Sequence, residues 1–238
     1  MLYFIKSATR NRTLPNNLFV AHYRGGEFLL LNKTGDKKVI LCFGSSTTWG
    51  YDPASGGKRF SDDTRWPSVM AQELGKEFDI IEEGFSGRTV LDHIPHSDPT
   101  NGYQYLHELL EKVEFDFIII WLGINDLFAN RELSVKHIAE GIEKMIHRIK
   151  FIKPMAHIII VAPPQINEDF EAAYLYQSEI DKSKKFSSEY KHIASANNCF
   201  FLDAGKIVAN CTIDGIHLEK EDSIKFGKRM ADFIKMST

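Results

Sequence analysis

The stretch VILCFGSSTTWG, residues 39–50, is an apolar run that ends abruptly in glycine, serine and threonine. A continuous run of β-branched and other apolar residues is typical of a strand that is covered on both faces of a parallel sheet. Gly44 follows the run and allows the chain to turn sharply at its end. These residues therefore predict a buried parallel strand with small polar side chains at its carboxyl end.

The same pattern recurs along the rest of the chain, where further apolar runs are separated by stretches of helical periodicity. The candidate strands are residues 39–43, 78–81, 115–122, 157–162 and 199–202, and the candidate helices are residues 65–74, 103–113, 134–149, 178–196 and 219–236. This alternation predicts a three-layer α/β/α sandwich with a five-stranded parallel sheet and right-handed crossovers. In such a sheet, the functional site lies beyond the carboxyl ends of the strands.

The first 37 residues do not fit this alternation. Phe19 to Arg24, then Gly25-Gly26, then Glu27 to Asn32 predict a β-hairpin with a two-glycine turn. We expect this extension either to cover a sheet edge or to form a subunit contact. The chain of 238 residues then divides into an N-terminal extension, residues 1–37, and one α/β domain, residues 38–238.

Composition excludes several classes of function. Apolar residues make up 43% of the chain and charged residues 26%, as in ordinary globular proteins. The formal net charge is -3 and there is no long basic run, so we expect no nucleic-acid partner. No apolar run approaches the roughly 18 residues of a membrane span, and the N-terminus lacks the pattern of a signal peptide. We therefore expect a cytoplasmic protein.

The sequence offers no convincing metal or disulfide pattern. Its three cysteines, Cys42, Cys199 and Cys211, are too few and too irregularly spaced for a disulfide framework or a zinc site. His93 and His96 lie near aspartates, but they stand in a proline-containing loop without a recognised ligand spacing. We expect no metal and no cofactor.

Asp214-Gly215-Ile216-His217 is the most informative acid–base pattern in the chain. A carboxylate three residues before an imidazole can accept the Nδ1 proton and leave Nε2 facing a nucleophile. Glu189 and His192 have the same spacing, but they lie inside a predicted helix, where an exposed pair of this kind is common.

Three strand ends supply the other parts of an acyl-transfer site. Ser46, with Ser45 as the alternative, is a candidate nucleophile in the turn after the first strand. Asn125 follows the apolar run of residues 118–122, in the order Gly-Ile-Asn-Asp, and its amide is a neutral donor that suits an oxyanion hole. Gly87 would permit a close approach of a substrate carbonyl to the main chain.

Taken in order, these four segments resemble the sequence blocks of the GDSL, or SGNH, hydrolases, in particular the arylesterase/acyltransferase-like branch. The resemblance implies the flavodoxin-like SGNH fold, a triad of Ser46, Asp214 and His217, and an oxyanion hole formed by Ser46, Gly87 and Asn125. The family usually has aspartate before the nucleophile, where it helps to brace the loop, whereas this chain has Ser45.

The resemblance further implies a serine esterase that acts on short-chain acyl or aryl esters, with acyl transfer to alcohols, and it implies that a homo-oligomer can form. Trp49 and Phe85 are predicted pocket walls, and Tyr51 and Trp121 also lie near the expected site. Two enzymatic alternatives, a carbohydrate O-deacetylase and a thioesterase, would use the same residues. A degenerate protein that binds an acyl ligand without turnover is the alternative outside enzymes.

Overall fold

The computed structural model describes residues 18–19, 37–91, 98 and 100–237. The strands are β1 (Leu18–Phe19), β2 (Lys38–Gly44), β3 (Tyr51–Asp52), β4 (Lys58–Arg59), β5 (Phe78–Gly84), β6 (Phe117–Trp121), β7 (His157–Ala162) and β8 (Phe200–Asp203). The helices are α1 (Ser46–Trp49), α2 (Trp66–Leu74), α3 (Gly102–Leu110), α4 (Ile124–Ala129), α5 (Val135–Ile152), α6 (Gln177–Ser183), α7 (Phe186–Ala196) and α8 (Lys220–Ser237).

A parallel sheet in the order β1-β5-β2-β6-β7-β8 forms the centre of the molecule. The five predicted strands are confirmed, and the two-residue strand β1 extends the sheet beside β5. The predicted N-terminal hairpin lies, apart from Phe19, outside the described residues. A second element, the antiparallel pair of β3 and β4, was not expected from the sequence.

Helices cover both faces of the sheet, so the predicted three-layer sandwich is confirmed. Leu41 and Phe43 of β2 pack into the core under α3, α5 and α7, whereas Ile40 and Cys42 pack into the core under α2 and α8. Successive side chains of a strand point to opposite faces, and here both faces are buried. This burial explains why the strands read as continuous apolar runs rather than as alternating patterns.

The strand order reverses beside β2. The chain leaves β2 for β5 on one side and returns to β6 on the other, which creates a crevice at the carboxyl ends of β2 and β6. Gly44 at the end of β2 pairs with Gly84 of β5 and with Trp121 of β6, so the three turns begin at the same level.

The helix predicted over residues 178–196 is interrupted, and it forms α6 and α7 instead. Ser183 accounts for the break, because its hydroxyl donates to the Ile180 carbonyl (2.7 Å) and accepts from the Ile166 N–H (3.0 Å). A side chain that bonds to nearby backbone in this way competes with helix continuation. The short helices α1 and α4 were not predicted, since four to six residues carry little periodicity.

Gly227 of α8 offers a test of the packing between α8 and α2. A Cβ at this position would lie 2.6 Å from the Trp66 carbonyl oxygen and 2.8 Å from Val69 Cβ. A glycine-to-alanine change inside a helix ordinarily stabilises by about 0.5–1 kcal/mol. Here we expect Gly227→Ala to lower the free energy of unfolding by about 1–3 kcal/mol, because the helices must separate.

Urea unfolding measures the effect. Lys228→Ala, at the exposed neighbouring position of α8, is the control and should change the free energy of unfolding by less than about 0.5 kcal/mol. A Gly227→Ala protein as stable as the parent protein would contradict the prediction.

Candidate active site

A continuous chain of hydrogen bonds joins Asp214, His217 and Ser46. The Ser46 hydroxyl lies 2.8 Å from His217 Nε2, and His217 Nδ1 lies 2.7 Å from Asp214 Oδ2. Ser46 and His217 are 171 positions apart in the sequence, and the fold brings their side chains into direct contact. The arrangement is that of a nucleophile, a base and a carboxylate that orients the base.

Asp214 is held as a carboxylate by several donors. Its Oδ1 accepts from the N–H groups of Ile216 (2.9 Å) and His217 (3.0 Å) and from Cys211 Sγ (3.3 Å). Burial by itself raises the pKa of Asp214, but the hydrogen bonds from the His217 ring and from these two N–H groups outweigh it, so the pKa lies well below its ordinary value. An ionised carboxylate only accepts, so Nδ1 of His217 carries the proton and the Nε2 lone pair faces Ser46.

Ser46 begins α1 at the end of β2 and is 7% exposed. Gly44 makes this turn possible, because a Cβ there would lie 2.0 Å from Thr48 Oγ1. Gly84 is required for the same reason, since a Cβ there would lie 2.1 Å from the Trp49 N atom. The two glycines thus let α1 lie directly on the strand ends. Ser45 precedes the helix and makes no side-chain capping bond.

Asn125 and Gly87 are brought to the same edge of the sheet by α4 and by the turn after β5. Asn125 Nδ2 donates one hydrogen to the Arg88 carbonyl (2.9 Å), and Asn125 lines the same cleft as Ser46. An amide nitrogen carries two hydrogens, so the second remains for another acceptor. Gly87 has φ +83, which favours glycine, and it directly precedes Arg88. It is not among the residues that line the cleft.

Asp126 fixes the segment that follows Gly87. Its buried carboxylate accepts from the Val90 N–H with both oxygens (3.0 and 2.9 Å) and from the Leu91 N–H (3.0 Å). Burial raises the pKa of Asp126 to about 7, against the effect of these N–H donors, which lower it. Asp126 therefore has a structural role, because it fixes the backbone of Val90 and Leu91.

Tyr51 lies directly on the histidine ring. The two ring centroids are 3.9 Å apart with an interplanar angle of 21°. The β3–β4 hairpin holds Tyr51 there, and Gly57 of this hairpin lies so close that a Cβ would be 2.6 Å from the tyrosine ring. The stacking restricts the orientation of the imidazole. Sequence reasoning placed Tyr51 near the site, but the hairpin that aims it has too short a pattern to be predicted.

The cleft beside Ser46 has different walls from those predicted. Its walls are the turns after β2 and β6, the Pro163-Pro164 pair after β7, and Ile216. Trp49 instead has the Arg59 guanidinium 5.7 Å from its ring centre, and Phe85 is 39% exposed beside Arg88. Neither Trp49 nor Phe85 is among the residues that line this cleft. Trp121 contributes to the cleft, but its ring packs mainly on Phe226, with the two centroids 4.2 Å apart.

A larger pocket adjoins the cleft. Ile216 lines both, and the larger pocket is walled by Phe128, Phe170, Tyr174 and Tyr176, with Asp214 at its margin. The free volumes are about 10 Å³ for the cleft and about 540 Å³ for the aromatic pocket. The segment that carries Phe170, Tyr174 and Tyr176 is tied to the loop of Asp214 and His217, because the Asn167 N–H donates to the Gly215 carbonyl (2.9 Å).

Within the described ranges, no cluster of three or more His, Cys, Asp or Glu side chains has an arrangement that could hold a metal ion. His93 and His96 lie outside the described residues. In the same part of the chain, no helix has both the length and the apolar character needed to span a bilayer.

Known proteins resemble the chain over most of its length. The model of the GDSL-like lipase/acylhydrolase family matches residues 42–221. No curated protein sequence gives a significant match. Among solved structures, the carbohydrate acetylesterase Est24 from Sinorhizobium meliloti is 32% identical, with a TM-score of 0.78, over 85% of this chain and 100% of that one.

The native aryl esterase of M. smegmatis is 31% identical with a TM-score of 0.75, and the match covers 84% of this chain and 99% of that chain. A carbohydrate acetylesterase family member from Sinorhizobium meliloti is 30% identical with a TM-score of 0.75, over 84% and 98% of the two chains. We conclude from the family match, the shared fold and the sequence identity to these esterases that the chain belongs to the GDSL-like lipase/acylhydrolase, or SGNH, family and is a carboxylic ester hydrolase.

Proposed function

We propose that this hydrolase cleaves esters of short acyl groups through an acyl-serine intermediate on Ser46. The observation that supports the proposal most strongly is the unbroken hydrogen-bonded chain from Asp214 through His217 to Ser46, which ends at a cleft shared with Asn125. The three side chains thus have the relative orientation that nucleophilic attack by Ser46 requires.

In the proposed acylation, Ser46 Oγ forms a bond to the ester carbonyl carbon while its proton passes to His217 Nε2. The carbonyl electron pair becomes an oxyanion, which is bound by the second amide hydrogen of Asn125 and by the N–H groups of Ser46 and Gly87. Ser46 lies in the first turn of α1, where backbone N–H groups have no partner within the helix. Asp214 stabilises the imidazolium that forms.

The intermediate then collapses. The bond to the leaving alkoxide breaks, and His217 returns its proton to that oxygen, so that a neutral alcohol departs and Ser46 remains acylated. In the second half-reaction a water molecule attacks the acyl carbon and gives its proton to His217. Collapse releases the carboxylic acid and returns the proton to Ser46 Oγ. An alcohol in place of the water would give a new ester, which is the acyl transfer expected from the resemblance.

The size of the cleft supports a short acyl group. A free volume of about 10 Å³ corresponds to about one water molecule, so an acetyl methyl group fits with little rearrangement. Ile124 and the Pro163-Pro164 pair are the apolar walls that would meet a longer chain. We therefore place the acyl half of the substrate in this cleft.

The aromatic pocket supports a bulky alcohol half. It shares Ile216 with the cleft, and its volume of about 540 Å³ lies within the range typical of small-molecule sites. Aromatic side chains offer flat apolar faces to a planar ring or to the C–H face of a sugar. An aryl ester and an acetylated carbohydrate both present such a group.

The second candidate function is carbohydrate O-deacetylation with the same residues. The similarity to two carbohydrate acetylesterases at 32% and 30% identity favours it, and the aromatic pocket is compatible with a sugar ring. The thioesterase alternative stays a prediction from the sequence, and the intact hydrogen-bonded triad argues against a degenerate binding protein. The cytoplasmic location and the homo-oligomer stay predictions from the sequence.

Ser46→Ala tests the nucleophile. We expect hydrolysis of p-nitrophenyl acetate to fall to the uncatalysed background, because no acyl-enzyme can form. Ser45→Ala is the matched control: it removes the neighbouring hydroxyl and should keep most of the activity. A fluorophosphonate probe should label the parent protein and the Ser45→Ala protein, but not the Ser46→Ala protein. Substantial turnover by Ser46→Ala would reject the assignment.

Asn125→Ala tests the oxyanion donor. Removal of one such donor typically lowers kcat by about 10²–10³, and we expect a loss of this size with a much smaller change in KM. Asn130→Ala, an exposed asparagine just after α4, should leave both constants unchanged. Equal kinetics for the two variants would remove Asn125 from the proposed mechanism.

A series of p-nitrophenyl esters from acetate to octanoate tests the position of the acyl group. We expect kcat/KM to be highest for acetate or propionate and to decline steadily with chain length, since each added methylene must displace cleft walls. Ile124→Ala enlarges the cleft and should shift the optimum to a longer acyl chain. An optimum at octanoate in the parent protein would place the acyl group in the aromatic pocket instead.

A further inference from the structure

Arg88 lies beneath the candidate site with its charged side chain inside the molecule. The residue is 1% exposed, and its guanidinium carbon lies 4.6 Å from the ring centre of Phe43 and 4.5 Å from that of Tyr105. Burial lowers the pKa of Arg88 to about 10, partly offset by Glu83 and Tyr105, so the guanidinium remains charged at neutral pH. A side chain so enclosed cannot touch a substrate in the cleft.

The guanidinium holds the end of the strand from which the nucleophile turn departs. Arg88 Nη1 donates to the Gly44 carbonyl at 3.1 Å and also to the Glu83 carbonyl. The Gly44 carbonyl accepts a second bond, from the Phe85 N–H at 3.1 Å. Gly44 stands two residues before Ser46, so these contacts fix the point where the turn to Ser46 begins.

The backbone of the same residue holds the oxyanion donors. The Arg88 carbonyl accepts from Asn125 Nδ2 at 2.9 Å, and Arg88 directly follows Gly87. Arg88 is therefore hydrogen-bonded to the Gly44 carbonyl and to the Asn125 amide, and it is covalently bonded to Gly87. The Ser45 side chain contributes no capping bond to α1, so it does not brace the start of the turn.

We infer that Arg88 is a positioning residue of the oxyanion hole, whose guanidinium and carbonyl together set the distance between the Ser46 turn and the Asn125 amide. This inference rests on the proposed function, because it concerns how the donors of that mechanism are placed. Errors of about 1 Å in such a site can cost up to about 100-fold in rate. Arg88 acts through Gly44 and Asn125 and does not itself contact reacting atoms.

Stability alone does not account for this cluster. Tyr105 donates to Glu83 Oε2 at 2.9 Å, but Arg88 Nε and Glu83 Oε1 have no hydrogen-bond partner among the described residues. Buried charges with unpaired polar atoms cost free energy, and well-packed apolar residues in such places are often equally stable or more so. The cluster is better explained by the geometry it imposes on the two loops.

Arg88→Met is the principal test, because methionine fills much of the same apolar volume without donating hydrogen bonds. We expect kcat for p-nitrophenyl acetate to fall by about 10- to 100-fold with KM changed less than about threefold. The rate at which a fluorophosphonate labels Ser46 should fall by a similar factor, since the phosphoryl oxygen uses the same donors. Arg88→Lys keeps the charge and a donor group, but a compact ammonium on a flexible stem does not reproduce the placement of the planar guanidinium, so this variant should lie between the parent protein and Arg88→Met.

Ile149→Ala is the control for loss of stability. Ile149 is fully buried in the last turn of helix α5. Its truncation should lower the melting temperature while leaving kcat and the labelling rate unchanged. If Arg88→Met does not fold, Arg88→Lys is compared with Ile149→Ala instead. Activity and labelling rates of the folded Arg88 variant within twofold of Ile149→Ala would overturn the inference.

A failure of the Arg88 inference can be distinguished from a failure of the proposed function. Retained hydrolysis by Ser46→Ala would reject the proposed mechanism whatever the Arg88 variants do. If instead Ser46 is required and Arg88→Met is fully active, only the positioning role fails. The rate of labelling by the fluorophosphonate reports the reactivity of Ser46 even if p-nitrophenyl acetate is a poor substrate.

Discussion

The register that joins β2 to β5 and β6 is the constraint on which the candidate site depends. Gly44 pairs with Gly84 on one side and with Trp121 on the other, so the turns to Ser46, Gly87 and Asn125 start at one level. A slip of one residue in either pairing would move a donor by about 3.3 Å along the strand and reverse the faces of its side chains. Both faces of β2 are buried, so such a slip would also exchange the side chains that pack into the two cores, and close packing of their different shapes opposes it.

Charged side chains of β5 and of the neighbouring loops then hold those loops at the edge of the sheet. Glu82 and Glu83 are neighbours in β5 and point to opposite faces: Glu82 is bonded to Arg59 and Arg65, and Glu83 faces Arg88. Arg59 also donates to the Trp49 carbonyl at 2.7 Å, which anchors the hairpin that stacks Tyr51 on the imidazole. Two adjacent carboxylates thus support the two sides of the site. Such buried charged groups are weak sources of stability, so we attribute their role to the geometry that they impose on the loops.

Local patterns were sufficient for the parts of the site that lie close together in sequence. The pair Asp214 and His217 could be predicted because a spacing of three residues can form its hydrogen bond within one loop. Ser46 and Asn125 could be predicted as strand-end residues, because parallel strands share one edge. The cleft walls could not, since Trp49 belongs to a four-residue helix whose direction depends on Gly44 and Gly84 beneath it. Arg88 was also missed, because its partner Gly44 is 44 positions away.

The sequence by itself determined the layered α/β fold, through its apolar runs and helical periodicity, and it determined which side chains could carry acyl transfer. Its resemblance to a known family supplied the order and the roles of these residues. Only the tertiary structure decided that Ser46 Oγ and His217 Nε2 lie 2.8 Å apart, that Tyr51 covers the imidazole and that Arg88 joins two loops. Those contacts join residues that are far apart in the chain, and their distances follow from strand register and core packing, which no local pattern encodes.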